Sequence, residues 1–124
     1  MDMYREIVMD HYKHSRNFGH LSHATASAHA YNATCGDKIT MEIKMDNNKI
    51  SDIRFSGTGC AISQAAASML TEKVKGMGIS AVSKLKTDDI MRMLGTTLTP
   101  SRIKCATLPL EVLTKALWTT TTRK

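Results

Sequence analysis

Two runs of alternating apolar and polar residues constrain this chain most. Ile39-Thr40-Met41-Glu42-Ile43-Lys44-Met45 places its apolar side chains on one face of a strand, and Ile50-Ser51-Asp52-Ile53-Arg54-Phe55 alternates again. Asp46-Asn47-Asn48 between them has turn chemistry. The pair predicts a β-hairpin with one wet face and one buried face.

Most of the rest reads as helix. Residues 3–14 carry Tyr4, Ile7, Val8 and His11 on one face, and Asn17-Phe18-Gly19 ends that helix. Residues 26–31, by alternation of small side chains, predict a short strand. Gly57-Thr58-Gly59 breaks the second hairpin strand, and residues 60–75 turn helical, with small residues near the start and Gly76 and Gly78 at the end. Residues 79–85 read as a short helix or turn. Thr87-Asp88-Asp89 is an N-cap cluster for a helix through Leu94, closed by Gly95. Pro100-Ser101 opens a last helix from Arg102 or Cys105 through Leu117, with Pro109 disturbing its first turn. The tail, residues 119–124, is expected to fray. No repeat or linker interrupts the pattern, so residues 1–124 are expected to form one α+β domain.

A chain of 124 residues can bury a core without disulfide staples. No apolar run is long enough for a membrane helix, and the mixed charges of the first residues do not read as an export signal. Three cysteines, an odd number, argue against a disulfide framework and for a reducing, cytoplasmic setting. The net charge of +6 is spread along the chain, which suits a solvated surface or an acidic protein partner. No aromatic-flanked basic stripe or nucleic-acid motif accompanies it.

Each cysteine sits beside a turn or breaker signal. Cys35 precedes Gly36 on an expected loop, Cys60 follows Gly57-Thr58-Gly59 and opens a helix, and Cys105 lies near the start of the last helix. Backbone N–H groups and the helix dipole favour a thiolate at a helix start, and Lys104 adds positive charge beside Cys105. Three such positions can converge at one end of a sheet. Asp37, two residues after Cys35, is either a turn residue or a hard oxygen ligand beside three soft sulfurs. As a loop carboxylate it is expected to contribute little to packing. A Cys3Asp set suits tetrahedral Zn²⁺ or one iron–sulfur cluster. Replacing one thiolate by a carboxylate gives a labile site, as a protein that hands on its cargo requires.

Other chemistry is weaker. Cysteines are often plain buried hydrophobes. Of the five histidines, His11 and His14 stand three apart and could pair on a metal, but read better as packing and surface residues. The nine methionines read as core filler. Ser63 and Ser68 read as helix-packing residues, and no Gly-x-Ser-x-Gly, phosphate-loop or dinucleotide motif is present.

The motifs Asn32-Ala33-Thr34-Cys35-Gly36-Asp37, Gly57-Thr58-Gly59-Cys60-Ala61-Ile62-Ser63 and Lys104-Cys105-Ala106-Thr107-Leu108 resemble the iron–sulfur cluster scaffold proteins IscU, SufU and the N-terminal domain of NifU. The opening Tyr4-Arg5-Glu6-Ile7, His11-Tyr12-Lys13-His14-Ser15-Arg16-Asn17-Phe18-Gly19, and Leu70-Thr71-Glu72-Lys73-Val74-Lys75-Gly76 are similar as well. The resemblance implies an α+β fold, a three-stranded antiparallel sheet packed with about five helices. It implies Cys35, Asp37, Cys60 and Cys105 as the site, with the cysteines as candidate persulfide acceptors and Lys104 in support.

In that family a cysteine desulfurase delivers sulfur, iron and electrons arrive separately, and a [2Fe-2S] cluster is built and passed to apo-proteins. Zinc can occupy the same ligands. The resemblance therefore implies a scaffold rather than an enzyme, as a monomer or a cluster-bridged oligomer. The alternative is a zinc-dependent, SufU-like sulfur acceptor. The sequence mixes branches. Lys104 replaces the histidine usual in IscU, the extra segment usual in SufU is absent, and Ala33 replaces the usual proline. Leu98-Thr99-Pro100-Ser101-Arg102-Ile103-Lys104 replaces the Leu-Pro-Pro-Val-Lys motif read by an Hsp70 chaperone, so that partner is not implied. Lysine is a poor metal ligand near neutral pH, which leaves Asp37 as the better fourth ligand.

Overall fold

A computed structural model describes residues 3–33, 36–95 and 98–122. Its order is α1 (Met3–Lys13), β1 (Ala26–Asn32), β2 (Asp37–Asp46), β3 (Lys49–Thr58), α2 (Ala61–Val74), α3 (Ile79–Val82), α4 (Thr87–Leu94) and α5 (Pro100–Thr122). The strands form an antiparallel sheet in the order β1-β2-β3. Among the described residues this is the expected three-stranded sheet with five helices.

The β2–β3 turn is short because Asn47 (φ 52°) and Asn48 (φ 61°) both adopt the left-handed conformation. Asparagine tolerates it, and a two-residue turn of this hand matches strand twist. The alternation expected for the second strand is broken once: Ile50 and Ile53 are three apart, yet both are fully buried. A bulge accounts for this. Met45 pairs with Ile50 and Lys44 with Asp52, leaving Ser51 as the extra residue. The buried face of β2 is Ile39, Met41 and Ile43, with Phe55 beside them on β3. The backbone of Asn17 and Gly19 bonds to Phe55, and the Phe18 ring meets the Phe55 ring edge to face at 5.3 Å.

Helices α2 and α5 cover this face. α5 lies on β1 and β2, α2 on β3, and the two helices touch each other. Ala65, Ala66 and Ala67 are buried, so the helices approach closely over Leu70, Val74, Val112 and Leu113. α4 is capped otherwise than expected. Its N-cap is Lys86, whose N–H donates to Asp89 Oδ2 at 2.8 Å, while Gly95 (φ 76°) closes the helix as expected. α5 also departs from expectation. It starts at Pro100 and runs to Thr122, carrying Pro109 in its interior instead of a disturbed first turn, and its helical backbone extends into the tail expected to fray. Burial against the sheet offsets the lost helical hydrogen bond at proline. No helix among the described residues is long and apolar enough to cross a membrane.

Candidate metal centre

Asp37 is the first residue of β2 and pairs with Asn32 of β1, so it belongs to the sheet and not to a loop. Its side chain is fully buried, which overturns the expectation of a carboxylate with little packing. The end of β3 lies beside it, with Thr58 opposite Lys38 and Gly57 opposite Ile39. Two glycines permit this approach. Gly57 has φ 152°, and a Cβ there would collide with the Lys38 carbonyl; Gly59 has φ 147°, and a Cβ there would fall on the Asp37 carboxylate. The Gly57-Thr58-Gly59 that reads as a strand breaker does not break β3, which stays paired through Thr58; its two glycines instead let the backbone pass over Asp37.

Cys60 follows immediately as the N-cap residue of α2, in an extended conformation. Its N–H donates to Asp37 Oδ1 at 2.8 Å, and its Sγ stands 3.9 Å from Oδ2. Cys60 caps the helix with no side-chain bond of its own; Ser63 Oγ instead donates to the Cys60 carbonyl at 3.1 Å.

α5 supplies Cys105, fully buried. One ligand atom each from Asp37, Cys60 and Cys105 lies within 4.8 Å of the other two. Sulfurs on a tetrahedral metal with bonds of about 2.3 Å stand roughly 3.8 Å apart. The donor-to-donor distances thus exceed that spacing by no more than about one ångström, and Cys60, only half-buried, is the open side of the set. Cys35 lies outside the described residues, two positions before Asp37 in the chain. Lys104 is exposed while its neighbour Cys105 is buried, as expected for successive residues about 100° apart around a helix.

His11 and His14 do not act together. His14 is exposed, whereas His11 is buried with Nδ1 2.8 Å from Ser68 Oγ, which also accepts the Arg16 backbone N–H at 2.8 Å. Burial, reinforced by the Arg16 guanidinium, holds the His11 pKa below its ordinary value. Arg16 also bonds Asp10 at 2.9 Å, and chiefly by that hydrogen bond holds its carboxyl below the usual range. Ser68 is thus a buried junction between α1, the residues after it and α2.

A groove beside the centre has no signature in the sequence. Tyr12, Lys13, Ser15 and Phe18 face Gly57, Thr58, Gly59 and Gln64 across an opening of about 540 Å³. Gln64 was legible only as an odd polar residue among alanines.

Comparison with known proteins points to one family. A family model described as the NifU-like N terminal domain matches residues 3–124. The zinc-dependent sulfurtransferase SufU of Bacillus subtilis (strain 168) is 38% identical over 132 aligned positions, covering 93% of this chain and 89% of that protein. That alignment is longer than the chain, so this relative carries residues without a counterpart here. The iron–sulfur cluster assembly scaffold protein IscU of Aquifex aeolicus (strain VF5) is 40% identical over 116 positions, covering 92% of this chain and 73% of that one. Among solved structures, a candidate scaffold for the SUF system of Fervidobacterium islandicum AW-1 superposes with a TM-score of 0.76 at 30% identity, covering 90% and 94% of the two chains.

Proposed function

The chain belongs to the NifU-like N-terminal domain family, and on that premise we propose that it is a scaffold on which a [2Fe-2S] cluster is assembled and from which it is passed to apo-proteins. The observation that carries this reading is the convergence of Asp37, Cys60 and Cys105 within 4.8 Å at one end of the sheet. Two soft thiolates and one hard carboxylate, joined by Cys35 as the remaining sulfur, make a Cys3Asp set that binds iron and releases it more readily than four thiolates would. Of the two cysteines the structure describes, Cys60, at the open side, is better placed than buried Cys105 to receive sulfur from a cysteine desulfurase. Residues 1–124 act as a single scaffold unit in the cytoplasm, without turnover of their own. Lys104, exposed beside Cys105, supplies positive charge at the rim.

The Lys104-Cys105-Ala106-Thr107-Leu108 string favours a second reading, in which the same ligands hold Zn²⁺ and the protein accepts persulfide sulfur. Anaerobic reconstitution with iron, a cysteine desulfurase and cysteine separates the two. A sulfide-to-iron charge-transfer spectrum with equal iron and sulfide supports the scaffold. Retained zinc, no cluster and stimulation of the desulfurase support the acceptor.

A further inference from the structure

We propose that the groove between the end of α1 and the Gly57–Gly59 segment is a docking subsite for an acidic side chain on an extended segment of a partner protein. This concerns a partner of the proposed scaffold and so rests on that reading.

Three observations carry it. First, Gln64 is 8% exposed and lines the groove, and its carboxamide nitrogen is buried without a hydrogen-bond partner. A buried N–H donor left unpaired is a standing cost that an incoming oxygen relieves. Second, the charged side chain lining the groove is Lys13, exposed at its rim, and no carboxylate lines it among the described residues. In a groove that carries an ammonium and no carboxylate among its lining residues, the favoured oxygen acceptor is a carboxylate, whose hydrogen bonds are charge-assisted. Third, Tyr12 (45% exposed) and Phe18 (54% exposed) form an aromatic wall with little covering it. Aromatic anchors rimmed by polar groups are the usual make-up of a protein contact. The groove is open rather than enclosed, so a chain segment can lie along it past Gly59 toward Cys60. The formal charge of +6 favours an acidic partner over a basic one.

The test is an amide-resolved NMR titration of the metal-free protein with Ac-Ala-Glu-Phe-Ala-NH2, against Ac-Ala-Gln-Phe-Ala-NH2 and sodium acetate. Shifts should appear at the Gln64 side-chain amide, Gly57 and Gly59 with the glutamate peptide. Gln64→Leu should weaken its binding roughly tenfold or more, the loss expected for one charge-assisted bond, and Lys13→Ala, at an exposed charge, by roughly two- to fivefold. Circular dichroism checks that both variants stay folded. Zinc uptake by Gln64→Leu should match wild type, which separates failure of the groove from failure of the metal centre. Equal affinity for the two peptides, no shifts at millimolar peptide, or undiminished binding by folded Gln64→Leu would each overturn the proposal. Acetate binding as tightly as the peptide would overturn it too, leaving a small-anion site in place of a docking one.

Discussion

Asp37 holds the backbone amide of Cys60 with one carboxylate oxygen, at 2.8 Å, and presents the other 3.9 Å from the Cys60 sulfur. The two residues are 23 positions apart in the chain. One side chain therefore anchors the start of α2 and stands in the candidate ligand set, so folding and metal binding are coupled there.

That coupling predicts a split between two substitutions. Asp37→Ala leaves a buried amide unpaired and should cost the metal-free protein about 1–3 kcal/mol. Asp37→Asn keeps an oxygen for that amide and should cost less, while losing the charge that attracts a metal. Urea unfolding and zinc competition against a chelator measure the two quantities. Wild-type stability in metal-free Asp37→Ala would remove the anchoring role.

Gly59→Ala should destabilise the protein by about 1–3 kcal/mol, because its Cβ displaces the Asp37 carboxylate. Zinc affinity should fall with it. Gly19 has a similar φ of 137° with nothing near its absent Cβ, so Gly19→Ala isolates backbone strain. If both variants bind zinc equally well, contact with Asp37 is not what requires glycine at 59.

Zinc should raise the melting temperature of the wild-type protein, since a ligand that binds only the folded state stabilises it. Cys60→Ser and Cys105→Ser should each abolish that rise, a neutral hydroxyl being a poor substitute for thiolate. A zinc-dependent shift retained in either variant, read by calorimetry, would exclude that cysteine from the ligand set.

Stability should fall in mild acid through His11. Burial first, and Arg16 second, favour its neutral form, with Glu72 and Asp10 partly opposing. The unfolded chain takes up the proton more readily, so this contribution is complete above about pH 6.5 and is lost as the pH falls below it toward the lowered folded value. His11→Gln should flatten that part of the urea-midpoint profile. An unchanged slope would place the acid sensitivity elsewhere.

Pro109 has no N–H to give the Cys105 carbonyl, one helical turn back. Pro109→Ala should stabilise the metal-free protein by up to about 3 kcal/mol, the helix-interior penalty of proline. The substitution should also shift the Cys105 sulfur and weaken zinc binding. Chemical denaturation and chelator competition on the same sample would show the trade; a gain in both would mean that Pro109 does not set the position of Cys105.

The sequence by itself determined the elements and named the chemistry. Alternation at Ile39, Met41 and Ile43 marks a half-buried strand, Asn47-Asn48 marks a tight turn, and Gly95 marks a helix end, because each signal lies within a few residues. Cys60 and Cys105 stood out for the same reason, as thiols beside local breakers. Only the tertiary structure decided what depends on partners far along the chain. Ser51 is a bulge because two strands must both face their isoleucines inward. Pro109 lies inside a helix because burial outweighs a missing hydrogen bond. His11 turns to Ser68, which is 57 residues away. Asp37 is buried in a strand, bonded to Cys60 and close to Cys105, because sheet pairing and the packing of α5 bring three distant segments to one place. Periodicity encodes which face of an element is apolar, but not which residue of another element will meet it.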